Sequence, residues 1–160
     1  MDSILSIAET QQEIREAFEK QPSTEEKYKY LLKYARTHKG MDPKYKDEKF
    51  LVKGCATRVF LVPRFEAGRV WYETDTDEGD QAPLIVRGLA AIAQKIYSGH
   101  TPSEILAADP AFFQDIGLNV ILTPTRSNGF ASLLKDLYLY ASAYKQLEMR
   151  KENASTRPES

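Results

Sequence analysis

The run Phe50-Leu51-Val52-Lys53-Gly54-Cys55-Ala56-Thr57-Arg58-Val59-Phe60-Leu61-Val62 sets two short apolar segments on either side of a Gly-Cys corner. Arg58 to Val62 is rich in β-branched and aromatic residues, the composition of a strand. Pro63 to Gly68 carries the turn signals, and Arg69-Val70-Trp71-Tyr72-Glu73-Thr74 returns as an antiparallel partner. Phe50 to Val52 can add a short third strand. The corner also holds the only cysteine of the chain.

Helices surround this hairpin. Upstream, Ile4, Ile7, Ile14 and Phe18 recur at helical spacing from Ser3 to Lys20, and Pro22 ends the pattern. Ser23 with Glu26 forms a capping box for a second helix carrying Tyr28, Leu31, Leu32 and Ala35, which stops at Gly40. Residues 39 to 49 have no period and mixed charge, as a solvated loop does. Downstream, Asp75, Asp77, Glu78 and Asp80 form an acidic loop. Ile85, Leu89, Ile92, Ala93 and Ile96 then mark a strongly apolar helix ended by Gly99, the best candidate to lie against the sheet. Thr101-Pro102-Ser103-Glu104 and Asp109-Pro110 start two short helices, the second stopped by Gly117. After the turn Thr123-Pro124-Thr125-Arg126-Ser127-Asn128-Gly129, Ser127 or Asn128 is placed to cap a long last helix bearing Phe130, Leu133, Leu134, Leu137, Ala141 and Tyr144. These elements predict one α+β domain over residues 1–150, with a small antiparallel sheet of about three strands packed against several helices. The cysteine sits on a loop beside the sheet, and residues 151–160 form a polar, disordered tail.

Composition agrees with a single core. At 160 residues, 42% hydrophobic and 28% charged, the chain has ordinary globular proportions. Its 22 basic and 23 acidic residues leave a formal charge of −1, which provides no general field for nucleic acid or an anionic membrane. No apolar run approaches the ~20 residues of a spanning helix, and Met1 to Ser6 lacks the pattern of a secretory signal, so the expected location is the cytoplasm. One cysteine forms neither an internal disulfide nor a thiolate zinc site.

A lone cysteine is more often a small buried hydrophobe than a nucleophile. Here its neighbours Gly54 and Ala56 leave room for another molecule, and Lys53 and Arg58 are close enough in sequence to favour a thiolate. A cysteine hydrolase needs a histidine base within reach, and both His38 and His100 fall at helix ends or turns. Nothing else of a peroxidase site is visible. The acidic run fails as a calcium loop, because Asp80 and Val86 stand where glycine and glutamate belong. Arg126 is equally suited to a structural and a functional role.

Gly54-Cys55-Ala56-Thr57-Arg58-Val59-Phe60, Asp75-Thr76-Asp77, Ile85-Val86-Arg87-Gly88-Leu89, Ser98-Gly99-His100-Thr101-Pro102 and Thr123 to Gly129 appear in the order of the SufE family, which the chain resembles from about Glu13 to Lys145. The resemblance implies a sulfur acceptor of iron–sulfur cluster assembly. In this reading Cys55 takes sulfur from the persulfide of a SufS-like, pyridoxal-phosphate cysteine desulfurase, stimulates that enzyme, and passes the sulfur to a SufBCD-like scaffold. The implied protein is a transferase-like accessory and not a stand-alone enzyme. It holds no cofactor beyond a transient persulfide, is a monomer or weak homodimer, and shelters Cys55 under a loop hinged at Gly54. Arg126 matches the arginine of the family's S/T-R-S-x-G turn, near the cysteine loop or partner interface, and Asp77 matches the second acid of its D-S-D/E pattern. The chain departs from the family at Ala56, Thr57 and Phe60, and in extra residues between Asp77 and Leu84. The alternative from another class is a regulatory protein that binds the desulfurase without carrying sulfur.

Overall fold

The computed structural model describes residues 5–78 and 81–156. Asp80 of the acidic run, Ser3 and Ile4 of the first helical pattern, and the tail residues 157–160 lie outside the described residues. The chain runs through α1 (Ile7–Glu19), α2 (Thr24–Thr37), single 3-10 turns at Pro43–Tyr45 and Glu48–Phe50, and strands β1 (Val59–Glu66) and β2 (Arg69–Thr76). It continues through α3 (Leu84–Tyr97), the short α4 (Pro102–Leu106), α5 (Phe112–Asp115) and α6 (Leu118–Ile121), and the long α7 (Pro124–Thr156). No described helix is long and apolar enough to cross a membrane.

The helix starts follow local chemistry. Ser6 and Glu9 cap α1 reciprocally, and the Ser23 hydroxyl accepts the Glu26 amide at 3.1 Å to start α2. Thr101 does the same for α4, with Pro102 in the first turn. That Thr-Pro signal also begins α7. The Thr123 hydroxyl accepts the Arg126 amide at 3.3 Å and the Thr123 carbonyl accepts the Ser127 amide at 2.9 Å. Thr123, and not Ser127 or Asn128, is therefore the cap, and Arg126 belongs to the first turn of the helix. At the other end α7 continues to Thr156, beyond the Lys151 at which the sequence pattern turns polar.

The sheet is a two-stranded antiparallel hairpin, with Val59 opposite Thr76 and Glu66 opposite Arg69. The third segment contributes one bridge, Leu51 to Phe60, and the Val52 amide donates to the Val59 carbonyl at 2.8 Å. Strand β1 also runs straight through Pro63, which the sequence assigns to a turn. Pro63 stands opposite Tyr72, whose own amide points away from β1 and donates to Ser98 Oγ at 2.9 Å. The pair is thus one that exchanges no backbone hydrogen bonds, and proline loses nothing there. The reversal falls instead at Ala67 and Gly68, both at positive φ (55° and 77°), as a tight hairpin of right-handed twist requires.

Helix α3 is the centre of the core, with Leu89, Ala90, Ile92, Ala93, Ile96 and Tyr97 buried. It lies between α2 on one side and β2 and α7 on the others. The approach of α2 depends on Gly88, where an added Cβ would stand 2.8 Å from the Leu31 carbonyl oxygen. From α7, Phe130, Leu133, Leu137 and Ala141 complete the core at helical spacing. Burying each of the larger side chains contributes roughly 1.5–3 kcal/mol. The result fixes the N-terminal half of α7 against the start of β1, where the cysteine corner emerges.

Candidate functional site

The corner is held by two glycines. Gly54 has φ +92°, a region L side chains avoid, and a Cβ there would lie 2.7 Å from Ser132 Oγ on α7. This close approach lays the 53–57 loop on the helix and turns Cys55 inward. The Cys55 Sγ–H donates to the Gly129 carbonyl at 3.3 Å, and the sulfur lies over Gly129, where an added Cβ would be in ordinary contact with it at 3.5 Å. Half-buried, the sulfur borders a small cavity of about 30 Å³ whose apolar walls include Val59, Val86, Leu89, Phe130 and Leu133.

Arg126 and Thr57 are polar members of the same lining, and Arg126 Nη1 donates to Thr57 Oγ1 at 3.3 Å. The guanidinium thereby ties the far side of the cysteine loop to the first turn of α7. It also borders an outer groove formed by Tyr28, Leu32, Leu84 and Ile121.

Asp77 lies at the root of the loop rather than beside the sulfur. Its carboxylate accepts Arg58 Nε at 2.9 Å, while its amide donates to the Arg58 carbonyl at 3.0 Å. Glu48 takes the other face of the Arg58 guanidinium. The two flanking cations therefore do not activate the thiol as the sequence suggests. Arg58 is committed to Asp77 and Glu48, and Lys53 acts on Asp136 of α7. Burial pushes the Cys55 thiol up from its ordinary value, and the Asp136 carboxylate adds to the effect. The hydrogen bond to Gly129 is one that only the protonated thiol can donate. The resting site thus favours the thiol.

Asp136, Ser132 and the Gly129 carbonyl were not legible as site members, since they adjoin Cys55 only through folding. Their spacing, three then four residues, places them along one face of α7. The histidines are structural: His38 Nε2 contacts the Thr74 carbonyl oxygen at 2.8 Å, and buried His100 pairs with Glu104 at 3.1 Å. Neither lines the cysteine cavity. Among the described residues no group of three histidine, cysteine or acidic side chains is placed to hold a metal ion.

Comparison with known proteins agrees with this architecture. The family model described as SufE, an Fe-S metabolism associated domain, matches residues 12–141. An uncharacterized SufE-like protein of Synechocystis sp. is 33% identical over 131 residues, covering 82% of this chain and 79% of that protein. The SufE-like protein 1 of Arabidopsis thaliana, described as chloroplastic/mitochondrial, is 33% identical over 150 residues, which are 93% of this chain but only 38% of that longer protein. The solution structure of a hypothetical protein from Thermus thermophilus shares the fold, with TM-score 0.69 and 24% identity over 84% of this chain and 94% of its own. With a helix-embraced hairpin, a sheltered cysteine at its root and a family match across most of its length, the chain belongs to the SufE family of iron–sulfur metabolism.

Proposed function

We propose that the chain is a sulfur acceptor and carrier, loaded on Cys55 by a SufS-like cysteine desulfurase and unloaded to a SufBCD-like iron–sulfur scaffold. The observation that carries the proposal is the setting of Cys55, the only cysteine of the chain, against an apolar cavity of about 30 Å³. A water needs roughly 10–15 Å³ of such space, so there is room beside the thiol for one added sulfur atom. No histidine adjoins the sulfur to act as the base of a hydrolase.

The chemistry is thiol exchange onto sulfur. A Cys55 thiolate attacks the outer sulfur of the desulfurase persulfide, the S–S bond of that persulfide breaks, and the desulfurase thiolate leaves. The product is a persulfide on Cys55, with no net oxidation or reduction. A chain with one cysteine has no second thiol to reduce that persulfide and release sulfide. Attack requires Cys55 to leave the Gly129 carbonyl, with Gly54 as the hinge and the Arg126–Thr57 contact as the latch. Pyridoxal phosphate belongs to the desulfurase, and the carrier brings no cofactor of its own. The exchange takes place in the cytoplasm, where free thiols persist.

Intact mass measurement after incubation with a SufS-like desulfurase and free cysteine tests the proposal. The expected result is a gain of one reductant-labile sulfur, abolished in Cys55→Ala. Desulfurase stimulation without any gain of mass would instead establish a regulator that carries no sulfur.

A further inference from the structure

Between α2 and the cysteine loop, residues 40–52 form a strap around the open end of the hairpin, and one buried carboxylate anchors it. Asp75, 6% exposed, accepts the Met41 amide at 3.0 Å and the Thr76 amide at 2.8 Å. Lys46 Nζ lies 3.2 Å from the same carboxylate and donates to the Thr76 carbonyl at 2.9 Å. The backbone comes so close at Gly40 that an added Cβ would stand 2.5 Å from Asp75 Oδ2. The strap then passes to the other strand. There Leu51 bridges Phe60, the residue opposite Asp75 in the hairpin, and the Val52 amide donates to the Val59 carbonyl at 2.8 Å. Beyond the loop, Arg58 is held by Asp77 and Glu48. Building on the sulfur-carrier reading, we propose that Asp75 is a positioning residue for Cys55: through Met41 and Lys46 it fixes the strap, and so confines the movement that exposes the sulfur to residues 53–57.

A buried ion pair holds only when the remaining lone pairs and protons of both partners are also satisfied. Here the carboxylate has two amides besides the ammonium, and the ammonium has a carbonyl besides the carboxylate. Removing either charge leaves the other buried without its partner and frees the strap from β2. The pair of Glu48 with Arg58 is exposed, and such pairs contribute little. With the anchor in place the tether of the sulfur is short. Cys55 is three residues from Val52, so at about 3.3–3.6 Å per extended residue its Cα moves no further than about 10–11 Å from that stem. A desulfurase persulfide must be brought within that radius, extended by the cysteine side chain. Without the anchor the strap peels back toward Gly40, and the sulfur is no longer presented at a fixed place.

The test compares two openings in the full chain: Cys55 alkylation by iodoacetamide and hydrogen exchange of the Val52 amide, each scaled to its rate in the unfolded chain. In the wild type Cys55 should be the less protected, because the loop opens without its stem. Equal protection of the two would overturn the proposal. Asp75→Asn, which keeps the shape of the side chain, and Lys46→Met, which keeps its aliphatic stem, should each speed both processes by a common factor of roughly three to ten. The amides of Ile92 and Ile96 in the core of α3 report general loss of stability, and they should accelerate less. If Cys55 gains no more than these core amides, the two residues serve stability alone and the proposal fails. The double variant should gain no more than the larger single change, since the two side chains act as one clamp, and multiplying effects would refute the clamp. Neither measurement uses a persulfide or a desulfurase. A chain that gains no sulfur overturns the carrier reading alone, and shared protection of Cys55 and Val52 overturns the positioning role alone.

Discussion

Replacing Gly54 by alanine should unlatch the cysteine loop, and two separable terms set the size of the effect. At φ +92° an L residue is strained by on the order of 1–2 kcal/mol. The new methyl also meets Ser132 Oγ at 2.7 Å, and moving that hydroxyl breaks its 3.1 Å bond to the Asn128 carbonyl. Such a bond contributes roughly 0.5–1.5 kcal/mol. The Ser132 Cβ lies at 3.5 Å, an ordinary contact, so Ser132→Ala removes the clash and leaves the backbone strain. If the loop alone absorbs the strain, the docked state loses about 1.5–3.5 kcal/mol, and Cys55 alkylation rises on the order of 10- to 300-fold, up to the ceiling of a free thiol. Gly54→Ala with Ser132→Ala should recover roughly two- to tenfold of that. The assay is iodoacetamide modification at fixed pH, with urea denaturation as a control on the remaining fold. An unchanged rate in Gly54→Ala would refute the reasoning, since the loop would not depend on that backbone geometry. Full recovery in the double variant would refute the strain term specifically.

Gly88→Ala should lower stability by about 1–3 kcal/mol in urea titration, because the obstacle is the Leu31 carbonyl of a packed helix and not a movable side chain. Tyr72→Phe should cost about 1–2 kcal/mol by the same measurement, as its hydroxyl is buried and donates to the Leu137 carbonyl at 2.6 Å, while Cys55 alkylation stays unchanged. Arg126→Ala breaks the contact with Thr57 and should speed alkylation by up to about fivefold, the limit for an exposed or partly buried hydrogen bond of under 1 kcal/mol. The Cys55 thiol itself makes stability depend on pH. Its value is raised in the folded protein above the 9.0 of a free thiol, so its stabilisation is complete below about pH 9 and is lost as pH rises through the folded value. Urea midpoints of wild type and Cys55→Ala, followed from neutral to alkaline pH, should show the wild type losing more.

The fold was legible wherever a short-range signal had a single meaning. The apolar stripe of α3, the Ser23 cap of α2 and the Thr101-Pro102 start each appear where expected, although at Ser23 only the serine half of the expected box forms. The errors arose where a residue's local habit depends on its neighbours in space. Pro63 reads as a turn, yet it sits in a strand because Tyr72 opposite directs its amide to Ser98. Phe50 to Val52 has strand composition, but a 3-10 turn at Glu48–Phe50 ends too late to leave room for more than one bridge. Thr123-Pro124 carries the same start signal as Thr101-Pro102, and Gly129 obscured it by suggesting that the turn lasted longer.

At the site the sequence singles out Cys55, but the electrostatics it suggests for the thiol differ from those of the fold. Lys53 and Arg58 are neighbours of Cys55 along the chain, which promotes a thiolate only where they share its surroundings. The loop reverses direction between them. Arg58 enters β1 beside Asp77, which the register of the hairpin delivers, and Lys53 follows Asp136. Meanwhile the groups that do surround the sulfur come from α7, more than seventy positions later, and from the apolar walls on β1 and α3, where nothing in the local sequence marks them. Every one of them favours the protonated form: the Gly129 carbonyl accepts its proton, the apolar wall desolvates it, and Asp136 repels its charge. The resting site therefore holds Cys55 as a thiol. In the proposed carrier role, activation comes with displacement of the loop, and a partner that holds the loop open both exposes the sulfur and makes it reactive. If so, the desulfurase should accelerate Cys55 alkylation more at pH 7 than at pH 10, because at high pH only the gain in access remains; an equal factor at both would mean that the partner changes exposure alone.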